Sequence, residues 1–343
     1  MGKSRDIEVD VLRSIGILLI ILAHIKAPIT PTVLRCFDVP LMVFVSGLCY
    51  SGKTLSGIQK FYSKRVLRLI VPTWLFLIFL FSFEFAIYRH LDADVVIKSF
   101  LLYQNGSIGY VWIIKVFLLI MLVTPFLIQI VNRSSKIAVY VILIGLIIAE
   151  EYVAKGLNTL QRENGGIILE LVVETIPYLL GYSVFFILGL LTKSLRDAGE
   201  SRQLLGIIFI SLVVFGSWYF SNGDLVITNY KYPPQFIYIV YGCMMPVILW
   251  SMRRLFRLNE RYDNMKTVER GLINALVFIG QNTLWIYLWH ILFVLTANHF
   301  LPYWPIRYMF VLVLATTVMA VQYKFINKIK SKKQWPICDY FVG

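Results

Sequence analysis

The chain has 343 residues, 58% hydrophobic and only 15% charged, with a mean hydropathy of +0.73. A soluble domain carries roughly 25% charged residues, so a soluble enzyme or binding module is excluded. The formal net charge of +14 does not point to nucleic acid, because the basic residues sit in short segments between apolar blocks, where they orient a membrane protein.

Apolar blocks of about 20 residues match a hydrocarbon core of about 30 Å. They predict an all-α, polytopic transmembrane helical bundle with about ten spans in one domain, 1–343. The spans fall at roughly 8–27, 36–52, 67–88, 111–131, 136–154, 175–192, 203–221, 234–252, 272–297 and 304–326. No period-two alternation suggests strands. Pro40 predicts a broken or tilted second span, and Pro177 falls near the start of the sixth, where proline is tolerated. No small-residue cleavage pattern follows the first apolar run, so that helix is expected to be retained. MGKSRD lacks the Ser or Thr of a myristoylation signal.

Charge placement orients the spans. With both termini in the cytoplasm, 23 of the 33 Lys and Arg residues fall in inner segments and eight in outer loops. This bias predicts an even number of spans with both ends inside, in a multi-pass protein of the plasma or inner membrane. Four scattered cysteines, Cys36, Cys49, Cys243 and Cys338, have neither disulfide-framework nor metal-site spacing, so no metal is expected. The sequence leaves the oligomeric state open, homo-oligomers included.

The first span carries unusual chemistry. In DVLRSIGILLIILAHI, residues 10–25, Arg13 and His24 lie eleven positions apart. They share a helix face, offset by about 20°, and are separated along the axis by about 16 Å. Asp10 lies one turn before Arg13 and is placed to pair with it. Ionisable groups on a membrane helix are costly and invite a functional explanation. The plain alternative is that Arg13 snorkels to the headgroups and His24 ends the helix. A second imidazole, His290 in TLWIYLWHILFV, falls in the same outer half. Two groups that titrate near neutrality at one depth suggest a general base and its partner.

These segments together resemble membrane acyltransferase family 3, the O-acyltransferases of cell-surface sugars. DVLRSIGILLIILAHI is similar to that family's first-helix signature, an arginine and a histidine with ten residues between. DVPLMVFVSGLCYSG, 38–52, resembles its second-helix motif. FYSKRVLRLIVPTW, 61–74, resembles the following basic loop, with Arg65 and Arg68 at R-x-x-R spacing. GQNTLWIYLWHILF, 280–293, resembles the late motif ending in Tyr-Leu-x-His, and KYPPQFIYIVYG, 231–242, a segment of some members.

The resemblance implies transfer of an acyl group, usually acetyl, from acetyl-CoA in the cytoplasm to a sugar hydroxyl outside. It places Arg13 and His24 at the catalytic centre and Arg65 and Arg68 at the basic loop. The chemistry fits, since guanidinium groups bind phosphate in bidentate fashion. Arg65 and Arg68, with Lys64, are the expected acyl-CoA contacts; the alternative is that they only orient the third span. Arg13 is expected to meet the donor or fix the geometry below His24. His24 is expected to act as general base, a covalent acyl-histidine being the competing route. His290, the Tyr287 hydroxyl and Lys115 are candidate donors to the oxyanion. Tyr232 is a candidate lip over the acceptor entrance, formed with the Pro233–Pro234 pair. Glu84, Glu150, Glu151 and Glu174 lie near outer span ends, there to bind sugar hydroxyls or simply to be solvated. The chain carries no appended extracytoplasmic domain, so a sugar, lipid-linked unit or surface polymer is expected to come to the bundle. The chief rival is a transporter or flippase for a polysaccharide precursor or small anionic solute. A non-catalytic scaffold or sensor is the third reading.

Overall fold

A computed structural model describes residues 6–53, 57–194, 200–223, 226–332 and 335–342. Lys3, Arg5, Arg196 and Lys333, counted above as cytoplasmic charges, lie outside them. Among the described residues there is no strand. The helices are α1 (Ile7–His24), α2 (Ile29–Leu34), α3 (Asp38–Tyr50), α4 (Ile58–Tyr88), α5 (Ala93–Phe100), α6 (Trp112–Arg133), α7 (Lys136–Asn164) and α8 (Ile167–Val173). There follow α9 (Ile176–Ser194), α10 (Glu200–Asn222), α11 (Phe236–Phe256), α12 (Leu258–Arg261), α13 (Thr267–Gln281), α14 (Thr283–Phe300) and α15 (Trp304–Lys332).

Each of the ten expected segments corresponds to a helix or a helix pair. Among the described residues, eight stretches are long and apolar enough to cross a membrane, and the pair α13 and α14 makes a ninth if taken as one span. The first segment differs in kind. Helix α1 carries Glu8, Asp10 and Arg13 within 18 residues and packs inside the bundle against α3, α13 and α14. The protein is thus an all-α polytopic membrane protein.

Two spans are broken. In the second, the break precedes Pro40: α2 ends at Leu34, the chain turns through Arg35–Phe37, and Pro40 sits in the first turn of α3. Proline is tolerated there because that N–H has no intrahelical partner. The ninth was expected as one span over 272–297. Instead α13 and α14 meet at an 85° bend around Asn282. Its side chain, in a residue only 1% exposed, turns back to donate to the Phe278 carbonyl at 2.8 Å, helping to satisfy backbone freed by the break.

Burial sorts the helices. The stretches holding α3 and α9 are each 67% buried, against 11% for α10, so α3 and α9 form the centre and α10 faces lipid. Gly47 and Gly189 make the central contact. A Cβ on Gly47 would run into the Phe186 carbonyl oxygen, and one on Gly189 into the Phe44 carbonyl oxygen. Without a hydrophobic drive between helices in lipid, such close backbone approach is a main source of association. At the near end Ser51, just past α3, donates to the Leu190 carbonyl at 2.9 Å and ties it to α9 again.

Candidate active site

Helix α1 presents Arg13 and His24 at opposite ends of one stripe, as its sequence predicts. At the Arg13 end, Asp10 Oδ1 accepts from Arg13 Nη1 at 3.0 Å, and Arg13 Nη2 donates to Cys49 Sγ at 3.0 Å. Asp10 is also held from the bend: Gln281 Nε2 lies 3.5 Å from its Oδ2, and a Cβ on Gly280 would strike its carbonyl oxygen. A cavity of ≈ 250 Å³ opens here. Its walls include Arg13, Ser46, Arg65, Gln281 and Tyr287. Non-helical backbone at membrane depth is tolerated where it lines such a space, and the break places Gly280, Gln281, Thr283 and Leu284 in its wall.

Of the three basic-loop residues, only Arg65 lines this cavity. Its guanidinium also lies 5.5 Å from the Tyr50 ring centroid. Arg68 and Lys64 are exposed and do not line the cavity. Arg68 instead lies within electrostatic range of Asp339, whose carboxylate is ion-paired with Lys330. The cavity thus brings Arg65 together with Arg13 and leaves Arg68 and Lys64 outside its wall.

At the other end the two histidines meet. His24 Nδ1 and His290 Nε2 are 3.0 Å apart. His290 is fully buried and His24 half-buried. His290 Nδ1 is hydrogen-bonded to the carbonyl oxygen of Tyr287. A carbonyl can only accept, so Nδ1 of His290 carries the proton and, in the neutral ring, its Nε2 is an acceptor. His24 must then donate from Nδ1, which leaves His24 Nε2 with its lone pair free. The Tyr110 ring stands edge-on to His24, centroids 4.9 Å apart. Tyr287 links the two ends, since its residue lines the cavity and its carbonyl holds His290. The histidines themselves are not in the cavity wall.

The three expected oxyanion donors are all engaged. The Tyr287 hydroxyl donates to the Tyr110 carbonyl, and both ring nitrogens of His290 are taken. Lys115 is ion-paired with Glu174 at 3.1 Å, and that carboxylate also accepts from the backbone N–H groups of Gln104 and Asn105. Lys115 and Glu174 therefore brace the loop before α6. Glu151 accepts from Phe236 N–H at 3.1 Å, supplying the start of α11 with a partner its own N-cap lacks, and pairs with Lys155 at 2.8 Å. These are structural bonds. Glu150 is not solvated: it is fully buried, and neither carboxylate oxygen has a partner among the described residues. Tyr232 is 46% exposed and packs edge-on against Trp112, a position consistent with the expected lip.

Sequence reasoning missed several residues here. Gly280 and Gln281 were taken as part of one span, although Gly-Gln-Asn is a polar interruption that signals a break. Arg35 and Lys231 were counted as outer-loop charges, yet they are buried on Asp38. An acid opening an apolar helix was the available signal for that cluster.

The bundle thus holds an imidazole pair and an arginine-walled cavity joined through Tyr287. The model of a family described as an acyltransferase domain matches residues 6–323, essentially the whole chain. The chain belongs to that family, acyltransferase family 3, and is a multi-pass membrane acyltransferase. No curated protein and no solved structure matches it.

Proposed function

We propose that this protein is an O-acyltransferase that carries acetyl from acetyl-CoA, on the cytoplasmic side of the cell membrane, to a sugar hydroxyl on the far side. The acceptor belongs to a surface polysaccharide or its lipid-linked precursor. One observation carries the proposal: the cavity walled by Arg13 and Arg65 reaches Tyr287, from which a hydrogen-bonded run leads through His290 to His24 at the other end of α1.

The donor's phosphates suit the exposed Arg65 at the cavity mouth, with Lys64 and Arg68 nearby on α4 adding positive potential. At ≈ 250 Å³ the cavity is below the ~300–1,000 Å³ of a whole-ligand site. It suits the thioester arm and leaves the nucleotide outside. His24 Nε2 takes the proton of the sugar hydroxyl as its oxygen attacks the thioester carbon. The C–O bond forms, the C–S bond breaks, and the proton passes from His24 to the departing thiolate. His290 is a positioning residue: it fixes which nitrogen of His24 is basic and supports the imidazolium that forms. General-base assistance of this kind contributes about 10²–10⁴ in rate.

Purified protein given radiolabelled acetyl-CoA and a mixture of surface glycan fragments tests this. The wild type is expected to label sugar, and His24→Ala to lose at least about 10²-fold in rate while eluting as a folded monodisperse species. Undiminished labelling by that variant would contradict a catalytic imidazole.

A further inference from the structure

The histidine end of the bundle holds three charged side chains that the transfer chemistry leaves unused. Arg35 follows α2, Asp38 opens α3 and Lys231 precedes α11. Asp38 accepts from Arg35 Nη1 on Oδ2 at 2.6 Å and from Lys231 Nζ on Oδ1 at 3.1 Å. The residues are only 7%, 1% and 2% exposed, in the order Arg35, Asp38, Lys231, so the cluster lies out of water.

Two cations share one carboxylate, which leaves a surplus of one positive charge. Neither cation pairs with a second carboxylate among the described residues. One cation on Asp38 would neutralise it and pin α2–α3 to the start of α11. The second is a buried positive charge that Asp38 alone does not neutralise, which is costly; the Trp112 and Tyr232 ring faces near Lys231 offset part of it. Arg35 Nε is also buried with no partner. A surplus charge and an unused guanidinium donor thus coincide.

The surroundings lead from this cluster both outward and to the histidine. Lys231 Nζ lies 5.5 Å from the ring centroids of both Trp112 and Tyr232, and Tyr232 is 46% exposed. Trp112, whose ring faces Lys231, lies two residues after Tyr110, whose ring stands 4.9 Å from that of His24. The cations and the base thus lie at the same end of the bundle, on either side of the Tyr110–Trp112 turn.

We propose that Arg35 and Lys231 bind an oxyanion group, a carboxylate or a phosphate, carried by the acceptor, so that the sugar acylated at His24 is an acidic saccharide or a sugar bearing phosphate. This inference rests on the acyltransferase reading above and deepens it. Guanidinium and ammonium groups with unused donors, held out of water, bind such groups strongly.

The full chain in liposomes, supplied with acetyl-CoA, is given methyl glucoside, methyl glucuronide or glucose 1-phosphate. The last two arms separate carboxylate from phosphate. At least one acidic acceptor is expected to have a kcat/KM about tenfold or more above that of the neutral glycoside. Lys231→Gln removes the surplus charge and leaves Arg35 on Asp38; it also removes the Asp38–Lys231 tie to the start of α11, so its Tm is expected to fall and the readout is the ratio between acceptors within one folded, monodisperse preparation. Its acidic-to-neutral ratio of kcat/KM is expected to fall to within about twofold of unity. Equal use of neutral and acidic acceptors by the wild type overturns the inference and leaves the acyltransferase reading intact. A Lys231→Gln protein that slows neutral and acidic acceptors in the same proportion also overturns it, since that is a general effect on the reaction. Absence of acetyl transfer to every sugar overturns both.

Discussion

His290 has no donor left for a substrate, and this divides the labour between the two imidazoles. With His290 Nδ1 on the Tyr287 carbonyl and Nε2 facing His24 Nδ1, only His24 Nε2 is available to the acceptor. His290→Ala is expected to lower kcat by about 10–100-fold through loss of the tautomer lock, with the KM for acetyl-CoA within about twofold. A tenfold rise in that KM with kcat unchanged would instead make His290 a donor contact. At the opposite end, Arg65→Ala is expected to raise the KM for acetyl-CoA more than Arg68→Ala does, because only Arg65 lines the cavity. Equal effects would show that both guanidinium groups reach the nucleotide. Arg13 and His24 were legible in sequence because eleven residues return a helix almost to the same face. The division between Arg65 and Arg68 was not. Spacing of three places two residues on one side of a helix, but what stands opposite each depends on Tyr50 and Asp339, which are distant in sequence.

The decisive elements are those where backbones touch. Gly47 and Gly189 let α3 and α9 cross with no room for a Cβ. Gly47→Ala is expected to destabilise by about 1–3 kcal/mol through overpacking, measured as a lowered Tm in detergent, and an unchanged Tm would mean the crossing can spread freely. The entry of α1 is a second such place. Asp6 caps it by accepting from Val9 N–H, and also engages Asn259 and Lys193. Burial pushes the Asp6 carboxyl up, but those three partners outweigh it and hold it below the usual carboxylate range. A lowered folded value means the stabilisation is fully present above about pH 4 and is lost as pH falls through the folded value. Asp6→Ala is therefore expected to cost about 1 kcal/mol at neutral pH, with the difference from wild type shrinking in acid. A pH-independent difference would assign the effect to packing alone. Helix positions were legible from apolar blocks: each expected segment holds a helix or helix pair, and among the described residues eight stretches, or nine with the bent pair, are long and apolar enough to cross a membrane. The break at Gly280–Asn282 was marked by its polar interruption and missed, while its 85° angle has no signature in composition.

At the scale of the whole molecule, the bundle keeps its chemistry at two ends of one helix and joins them through α14. The cavity wall ends at Tyr287, one helical turn before His290. A broken helix that lines a cavity is also a feature of transporters, so solute movement is the natural rival at this scale. Family membership favours acyl transfer, and a carrier would move labelled solute across a bilayer without acyl-CoA. The most direct measurement uses sealed, uniformly oriented proteoliposomes. Radiolabelled acetyl-CoA is placed only on the side of Arg65, and the sugar acceptor only on the side of His24. The account predicts label on the sugar across the bilayer, dependent on His24. Label that appears only when donor and acceptor share a compartment, or that persists undiminished in His24→Ala, would contradict it.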